Sequence, residues 1–369
     1  MKTDKQTFLK AICDEFNIYG DYLVAVPFGT GHINDTYQVT YDQGGVRLHY
    51  TLQKINHNVF GDPVKVMENI DRITTHILSR IAAGGRLGQN KRTIRLLKNR
   101  QGLPYYRDNN GDYWRCYIFI ERARSYDVLA DSQQAYMVAR TFADFQLDLT
   151  TLPGGRLHET IPDFHNTPKR LADLEQAIAA DVRNRVKEVS EEIDFIMERK
   201  AECSRLMDMH RSGYLPERIT HNDTKINNIL IDDVTGEAIC VIDLDTVMPG
   251  LVHYDFGDMI RTATSPAEED EQDLSLVTMR FEMYEALLKG YLSRAKEFLT
   301  PDEKAELPFS GKLITLEIGI RFLTDYLSGD KYFKIKHRQH NLDRCRTQLE
   351  LVRSIEAQFD QMRHLADSL

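Results

Sequence analysis

The stretch THNDTKINN at positions 220–228 gathers several kinds of functional group in one short polar loop. It contains a carboxylate at Asp223, an amine at Lys225 and an amide at Asn228, and the apolar run ILI follows it directly. Catalytic residues are found disproportionately on loops that a rigid element positions. The composition of this loop therefore favours chemistry over a simple connection between two elements.

A second carboxylate, Asp243, follows Asn228 by fifteen residues. The segments NILIDD and AICVIDLD have strand composition, and the turn residues DVTGE between them predict a β-hairpin. Because a hairpin brings the ends of its two strands to the same edge, we expect Asn228 and Asp243 to converge. Carboxylate and amide oxygens suit Mg²⁺, which takes few protein ligands and shares the rest with phosphate and water. The spacing predicts a magnesium site, with Asp223 nearby to accept a proton from a hydroxyl.

These segments carry a resemblance to a known family. HNDTKINN followed by VIDLD resembles the HxDxxxxN loop and the following metal-binding aspartate of eukaryotic-like kinases, in their aminoglycoside phosphotransferase branch. Within that branch the loop, together with PFGTGHINDTY and RFLTDYLSGDKYF, is similar to bacterial N-acetylhexosamine 1-kinases, over nearly the whole chain. The resemblance implies an α+β, bilobal protein-kinase-like fold with a β-rich N-lobe and a mainly helical C-lobe. It also implies a phosphotransferase of carbohydrate metabolism that uses ATP and Mg²⁺ to phosphorylate the anomeric C1 hydroxyl of N-acetylgalactosamine or N-acetylglucosamine.

The resemblance assigns a role to each residue of the loop. Asp223 aligns with the catalytic aspartate that orients and deprotonates the acceptor hydroxyl, and Lys225 with the lysine that faces the transferred phosphoryl group. Asn228 and Asp243 align with the metal ligands. Any one of these residues, taken alone, is better explained by a polar turn that caps a hairpin, but the matching positions together favour the kinase loop. We expect His221 to support the loop by hydrogen bonding.

Two features depart from the simplest match. Asn222 stands where glycine is common in the wider family, which suggests an acceptor contact or a different loop geometry. A literal DFG begins at Asp255, the signature that marks the metal-binding aspartate of protein kinases, but Asp255 lies 27 residues past Asn228, beyond the break MPGLVH. We therefore expect YDFGDMIR to begin a helix, with Asp255 or Asp258 in a structural role that includes bonding to the catalytic loop.

A glycine-containing turn near the start of the chain is a candidate phosphate loop. Backbone N–H groups between two strands can cover the oxygens of a triphosphate, and the residues that stand there are Gly29, Thr30, Gly31, His32, Ile33 and Asn34. Taken alone, such a turn is more often an ordinary hairpin connection. Asn34 replaces the third glycine of GxGxxG, so the match to protein kinases is loose.

Four further nucleotide contacts are implied by the resemblance. Lys54 falls on the third strand, where such kinases place a cation against the α and β phosphates, and Glu68 lies on the next helix as its partner acid. Because strand faces alternate, a one-residue error in register would turn Lys54 to the other face, which leaves a surface lysine as the alternative. The segment FIERARSYD corresponds to the hinge, so we expect backbone groups of Glu121 and Ala123 to contact adenine.

The acceptor site is expected in the segment RFLTDYLSGDKYF. Arginine and an aromatic ring form a plausible sugar-binding set, and the resemblance favours Arg321 and Tyr332 as substrate contacts beside Asp223. Arg321 and Asp325 are four residues apart, so an ion pair within one helix is the competing explanation. Other small hydroxyl acceptors stay open, namely homoserine, choline, ethanolamine, methylthioribose and aminoglycosides, as does a non-catalytic nucleotide- or sugar-binding pseudokinase.

The pattern of elements places these residues in two lobes. The sequence predicts a β-rich first lobe. Its expected elements are a helix, a three-stranded meander (LVAVPFG, TYQVTY, VRLHYTLQKI), a helix from about 62 to 83, and further strands up to DYWRCYIFIE. Helical periodicity dominates from about Ser125 onward, interrupted by the hairpin. We predict a nucleotide-binding N-lobe at 1–123 and a C-lobe at 124–369 that carries the catalytic loop and the acceptor site.

The composition limits the partners. A formal net charge of -9 gives no general basic surface for nucleic acid or an anionic membrane. The five cysteines are scattered and form no CxxC pair, which predicts reduced, mostly structural thiols. The first residues show no apolar signal core, and no run of about 18 apolar residues occurs. We expect a cytoplasmic protein with a small-molecule sugar substrate and no obligate protein partner.

Overall fold

The computed structural model describes residues 2–29, 33–84 and 93–369. The chain forms two compact units. The first contains Met1–Arg124, Thr151–Pro162 and Leu230–Met248, and the second contains Ser125–Thr150, Asp163–Ile229 and Pro249–Leu369. The lobe boundary predicted at 123/124 stays a prediction, because segments from further along the chain join the first unit.

An antiparallel sheet is the centre of the first unit. After helix α1 (Lys2–Cys13), the strands β1 (Asp21–Pro27), β2 (Asp35–Gln43) and β3 (Val46–Ile55) form the predicted meander. The next strands are β4 (Leu96–Leu97), β5 (Tyr106–Arg107) and β6 (Tyr113–Ile118); β6 pairs with β3, and β4 and β5 pair with β6. Helix α2 (Pro63–Ala83) begins as predicted, with the Asp62 carboxylate accepting from the Lys65 amide and a proline in the first turn.

The two faces of this sheet differ in character. Leu52 lies opposite Cys116 across the β3–β6 pair, and both pack with Trp114 against residues of α1 in one apolar cluster. Gln53 and Arg115 are the next pair along and lie on the other face, because successive side chains of a strand alternate. The sheet therefore has an apolar face covered by α1 and a second face that carries buried polar groups.

A small three-stranded sheet follows in the order β10–β9–β7, formed by β7 (Ala123–Arg124), β9 (Ile229–Asp232) and β10 (Ala238–Val241). β9 and β10 are the predicted hairpin. β9 begins directly after Asn228, and β10 ends two residues before Asp243. The hairpin thus leaves both predicted metal ligands at the ends of its strands.

Helices make up most of the second unit. They are α3 (Ser132–Leu149), α4 (Thr167–Ala180), α5 (Ser190–Glu198), α6 (Arg205–Arg211), α7 (Val252–Ala263), α8 (Phe281–Ala295), α9 (Pro301–Ala305), α10 (Leu307–Ser328), α11 (His340–Ala357) and α12 (Phe359–Ser368). The strands β8 (Arg218–Thr220) and β11 (Met248–Gly250) pair with each other. Long α10 is buried along most of its length and packs against α4, α7 and α11.

The literal DFG lies within α7, as predicted, and its glycine has a packing role. A Cβ atom at Gly257 would overlap the backbone oxygen of Ser310 on α10, and one at Gly311 would lie 2.7 Å from the Ile260 side chain. Two glycines therefore allow α7 and α10 to approach closely. This close contact fixes α7, the helix on which the catalytic loop is anchored.

Two expectations about the whole chain can be compared with the structure. All five cysteines are buried free thiols, as predicted. None of the helices in the described ranges has both the length and the apolar character needed to cross a membrane.

Candidate active site

The predicted catalytic loop connects β8 with β9. It runs from His221 to Lys225 and continues into one 3₁₀ turn, Ile226–Asn228. Asp223 and Lys225 are half-buried, whereas Asn228 is buried. The two residues predicted to meet the substrates thus keep some exposure on a loop whose other members are largely enclosed.

Asp255 of α7 holds the backbone of this loop. Its carboxylate accepts hydrogen bonds from the backbone amides of His221 (2.9 Å) and Asn222 (2.7 Å), and from the Gln146 side chain (2.6 Å). The Thr224 hydroxyl donates to the Asp255 carbonyl at 2.6 Å. Burial raises the pKa of Asp255, although the hydrogen bonds and His221 oppose that effect. The predicted structural role of Asp255 is confirmed.

Asn222 gives the loop a left-handed bend. Its φ is 63°, in the region that glycine and asparagine tolerate best. The Asn222 side chain is 3% exposed, accepts from the Thr220 hydroxyl at 3.0 Å and donates to the Thr220 carbonyl at 3.1 Å. A Cβ atom at Gly250 would overlap that hydroxyl. The left-handed φ and the bonds to Thr220 support a loop-geometry explanation for asparagine at the position where the wider family commonly has glycine.

Asp223 is held from two sides. Its backbone amide donates to His221 Nδ1 at 3.3 Å, and the His221 ring packs edge-on against Phe142 and Phe145. The Asn228 amide nitrogen donates to the Asp223 carbonyl at 2.8 Å and to its Oδ2 at 3.1 Å. His221 supports the loop as predicted, and Asn228 orients the carboxylate that is expected to meet the acceptor.

A buried ion pair supports the loop from another side. His165 Nε2 donates to the Asn222 carbonyl at 2.9 Å, and His165 Nδ1 faces Glu317 Oε1 at 2.8 Å. Both ring nitrogens face oxygen atoms, an arrangement that suits an imidazolium ion beside a carboxylate. Burial opposes this charge, but Glu317 outweighs it and raises the pKa of His165. Thr167 donates to the second oxygen of Glu317 at 2.5 Å.

Lys225 is electrostatically coupled to the carboxylate of Glu269. Burial disfavours the Glu269 carboxylate, but Lys225, Arg261 and Arg344 outweigh it and lower the pKa of Glu269. Arg261 is itself buried and donates to Asp258 at 2.8 Å. Asp258 is therefore structural, as expected, through its pair with Arg261.

In the first unit, Asp243 lies in a tight turn after β10. Its φ of 57° is left-handed and its side chain is exposed, whereas Asp245, two residues later, is buried. Burial disfavours the charge of Arg115 on β6, but Asp245 outweighs this, with a smaller contribution from Asp243, and raises the pKa of Arg115. Both carboxylates of the DLD segment are thus electrostatically coupled to one buried guanidinium.

Lys54 and Glu68 are not brought together. The Lys54 ammonium pairs with Asp112 at 2.7 Å, and Glu68 pairs with His158 at 2.9 Å. Lys54 lies opposite Trp114, on the sheet face that α1 covers, because it is one residue out of phase with Gln53. The structure thus has the alternative arrangement considered from the sequence, in which Lys54 is turned to the other face of the sheet.

The other predicted nucleotide contacts are placed as follows. Gly29 has φ of 80°, a conformation that favours glycine, while Thr30 and Gly31 lie outside the described residues. The Asn34 side chain donates to Asp245 at 2.7 Å. Glu121 pairs with His49 at 2.6 Å, and Ala123 lies opposite Asp232 in the β7–β9 pair.

The predicted acceptor residues lie in the second unit. The Arg321 guanidinium lies over three rings, at 5.1 Å from the centre of Phe164, 5.9 Å from Phe333 and 6.0 Å from Tyr332. Asp325 accepts from the backbone amides of residues 331–333 at 2.9–3.0 Å. Asp325 therefore caps the turn that carries Tyr332, while Arg321 lies against aromatic rings and is electrostatically coupled to Glu317.

The sequence of this chain matches the model of one known protein family over most of its length. The model of the phosphotransferase enzyme family (APH) matches residues 24–291, which include the catalytic loop, the hairpin and α7. This chain belongs to the phosphotransferase enzyme family.

Solved structures confirm the kinase-like α+β fold of this phosphotransferase. An aminoglycoside phosphotransferase from Alicyclobacillus acidocaldarius subsp. acidocaldarius superimposes with a TM-score of 0.65 at 14% identity, covering 98% of this chain and 96% of that chain. The microcompartment-associated aminopropanol kinase gives 0.57 at 15% identity over 97% and 98% of the two chains. Choline kinase from Cryptosporidium parvum Iowa II gives 0.54 at 13% identity over 98% of each. At these identities the likeness establishes the fold.

Sequence reasoning did not identify several residues that shape the site of this phosphotransferase. His165 and Glu317 are 152 residues apart, and Arg115 and Asp245 are 130 residues apart. No local spacing joins such pairs. A weak signal existed for Arg115, a cation inside the apolar strand YWRCYI, because a charge there must find a buried partner.

Proposed function

We propose that this phosphotransferase is an ATP- and Mg²⁺-dependent kinase that phosphorylates the anomeric C1 hydroxyl of N-acetylhexosamines, N-acetylgalactosamine or N-acetylglucosamine, to give the sugar 1-phosphate. The observation that carries the proposal is the state of Asp223. This carboxylate is half-buried, oriented by Asn228 and mounted on a loop that Asp255 and His165 bond through its backbone. A general base must be positioned in this way before its proton affinity matters.

In the proposed reaction Asp223 accepts the hydroxyl proton of the acceptor. As the bond between the acceptor oxygen and the γ-phosphorus forms, the bond between that phosphorus and the bridging oxygen breaks, and ADP leaves. Lys225 faces the transferred group and offsets its negative charge. Positioning and charge therefore supply the acceleration, and no covalent enzyme intermediate is needed.

The donor set fits a magnesium ion. The Asn228 amide nitrogen donates to two oxygens of Asp223, so the amide oxygen remains as the atom that can bind a metal. Asp243 contributes an exposed carboxylate at a strand end. Both are hard oxygen donors of the kind that Mg²⁺ prefers. When bound, Mg²⁺ neutralises phosphate charge; Asn228 and Asp243 would hold it.

We assign the ATP contacts to the glycine turn and the hinge. The proposed set is the backbone of Gly29, Thr30, Gly31 and Asn34, with backbone groups of Glu121 and Ala123. Lys54 and Glu68 each have another partner in the structure. A direct role would require Lys54 to leave Asp112 and Glu68 to leave His158. We therefore give neither side chain a part in the mechanism.

The surroundings of Arg321 support a neutral acceptor. An aromatic cluster that binds a cationic acceptor such as choline must leave its rings open to the ammonium group. Here Arg321 already lies over Phe164, Tyr332 and Phe333, and Arg170 donates to the Phe164 carbonyl at 3.0 Å. These two guanidinium groups at Phe164 repel a cationic acceptor but can donate hydrogen bonds to the hydroxyl and acetamido oxygens of a neutral sugar. The ring of Tyr332, 60% exposed, offers an apolar surface to a sugar.

ADP release is the direct test. It would be measured with Mg·ATP against N-acetylgalactosamine, N-acetylglucosamine, glucose, galactose, homoserine, choline and kanamycin, with the acid lability of each product tested in parallel. We expect turnover with the acetylated sugars and an acid-labile product, because an anomeric phosphate hydrolyses readily in acid. Turnover confined to choline or kanamycin would overturn the acceptor assignment and leave the kinase assignment intact. Binding of Mg·ATP without ADP release for any acceptor would favour a pseudokinase.

A further inference from the structure

The polar face of the sheet in the first unit carries a continuous row of hydrogen bonds. Gln53 on β3 donates to the Thr36 hydroxyl on β2 at 2.9 Å and accepts from Arg115 Nε on β6 at 2.8 Å. The row crosses three neighbouring strands and ends at Arg115, whose side chain is 3% exposed. A guanidinium this deeply buried needs a fixed counter-charge.

Asp245 supplies that counter-charge. Both terminal nitrogens of Arg115 donate to its carboxylate, one of them to Oδ2 at 3.1 Å, and the Asp245 side chain is 2% exposed. The Thr160 hydroxyl holds the Asp245 carbonyl at 2.7 Å. A two-pronged pair fixes the carboxylate in direction as well as in distance. Asp245 is therefore fixed in position, two residues after Asp243.

Asn34 connects Asp245 with the glycine turn. Its amide nitrogen donates to Asp245 Oδ2 at 2.7 Å, and its amide oxygen accepts from the Asn56 backbone amide at 3.0 Å. Asn34 is the last residue before β2 and follows the turn predicted to cover the phosphates. The Asn34 side chain thus joins the exit of that turn to the segment that carries the proposed metal ligand.

We propose that Asn34, Asp245 and Arg115 act as positioning residues of the nucleotide site, fixing the exit of the glycine turn relative to the carboxylate of Asp243. The inference rests on the proposed function, since it takes Asp243 as a metal ligand. Asp245 and Arg115 are buried and act through Asn34 and Asp243.

The donor end of Asn34 can be tested separately. In Asn34→Asp the side chain keeps its size and can still accept from Asn56, but it cannot donate to Asp245 and places a second negative charge beside it. Asn34→Ala removes both bonds without adding charge. A matched control is Gln43→Ala, which removes an amide at the other end of β2 that donates to the Tyr19 carbonyl and the Tyr50 hydroxyl.

The experiment measures the dissociation constant of Mg·ATP by calorimetry without acceptor, the KM of the acceptor, and the melting temperature of each variant. We expect Asn34→Asp to weaken Mg·ATP binding by about tenfold or more, since hydrogen bonds to charged groups are the stronger ones. Gln43→Ala should stay within about twofold, and the acceptor KM should change little in all variants.

The outcomes separate the inference from the proposed function. If the wild-type chain binds Mg·ATP and Asn34→Asp binds it equally well, the positioning network is overturned and the kinase assignment stands. A parallel loss of Mg·ATP binding, acceptor affinity and melting temperature would show a merely structural role and also overturn it. If the wild-type chain itself does not bind Mg·ATP, the proposed function fails, and the inference fails with it.

Discussion

The Oδ1 atom of Asp255 lies 2.7 Å from the backbone nitrogen of Asn222. The other oxygen of the same carboxylate accepts from the preceding amide, so a side chain of α7 supplies the acceptors that a neighbouring strand would otherwise supply. Helix α7 is in turn fixed against α10 by two glycines. The position of the loop that carries Asp223 is therefore set by helix packing.

Replacement of Asp255 tests this dependence. Asp255→Ala leaves two buried amides of the catalytic loop without an acceptor, at a cost of about 1–3 kcal/mol for each. We expect the free energy of unfolding to fall by about 3 kcal/mol and kcat to fall with it. Denaturant titration and ADP release measure the two effects. Asp360→Asn, an exposed change on α12, should alter stability by less than about 0.5 kcal/mol; a stable and fully active Asp255→Ala would contradict the role.

Asp223→Asn separates chemistry from binding. The amide keeps the size of the carboxylate and can still accept from Asn228, but it cannot take a proton. We expect kcat to fall by about 10²- to 10⁴-fold, the usual contribution of a general base, while the dissociation constant of Mg·ATP stays nearly unchanged. Steady-state ADP release and calorimetry measure both quantities. Full turnover in this variant would rule out Asp223 as the base.

Asp243→Ala should affect nucleotide binding and turnover together. Loss of a residue that only orients a metal ligand already costs about 10- to 100-fold in metal affinity, so we expect at least that shift in the Mg²⁺ concentration needed for half-maximal activity. Asp233→Ala is a matched control on the same hairpin, because its pair with Arg124 is exposed and worth little. An unchanged Mg²⁺ dependence in Asp243→Ala would exclude the metal role.

The contrast between these residues and Lys54 shows what a sequence can predict. Asp223, Asn228 and His221 lie within eight positions, so their mutual contacts follow from one loop and were predictable. The predicted position of Lys54 depended on the register of its strand, because a shift of one residue moves a side chain to the other face of the sheet. Arg115 and Asp245 meet only through the pairing of β6 and the turn after β10. Contacts of that kind depend on tertiary structure, which no local pattern encodes.

Arg321→Lys tests the acceptor site. Lysine keeps the charge but loses the planar donor fork that stacks on Phe164, Tyr332 and Phe333. We expect the KM for the acetylated sugar to rise by about tenfold, equivalent to roughly 1.4 kcal/mol, with little change in the KM for ATP. Arg353→Lys replaces another stacked guanidinium, which lies over Phe195, and should leave both KM values unchanged. Equal effects of the two variants would remove Arg321 from the acceptor site.

The His165–Glu317 pair predicts a dependence of stability on pH. The folded pKa of His165 is raised from its ordinary value of 6.5, so its stabilising contribution is present below that pH and is lost as pH rises through the folded pKa. The pKa of Glu317 is lowered from 4.5, so its contribution is present above that pH and is lost as pH falls through the folded pKa. Both contributions are therefore complete between about pH 4.5 and 6.5.

His165→Gln isolates this effect. Glutamine can donate to the Asn222 carbonyl but cannot carry a charge, so the variant should lose the part of the pH dependence that belongs to the imidazolium. We expect the free energy of unfolding of the wild type to fall more steeply from pH 6.5 to pH 9 than that of His165→Gln, with a difference in slope of up to about 1.4 kcal/mol per pH unit. Denaturant unfolding across this range measures it. Since Asn222 adjoins Asp223, kcat of the wild type should decline over the same pH interval. If the free energies of unfolding of the two proteins change in parallel with pH, His165 is neutral throughout this range.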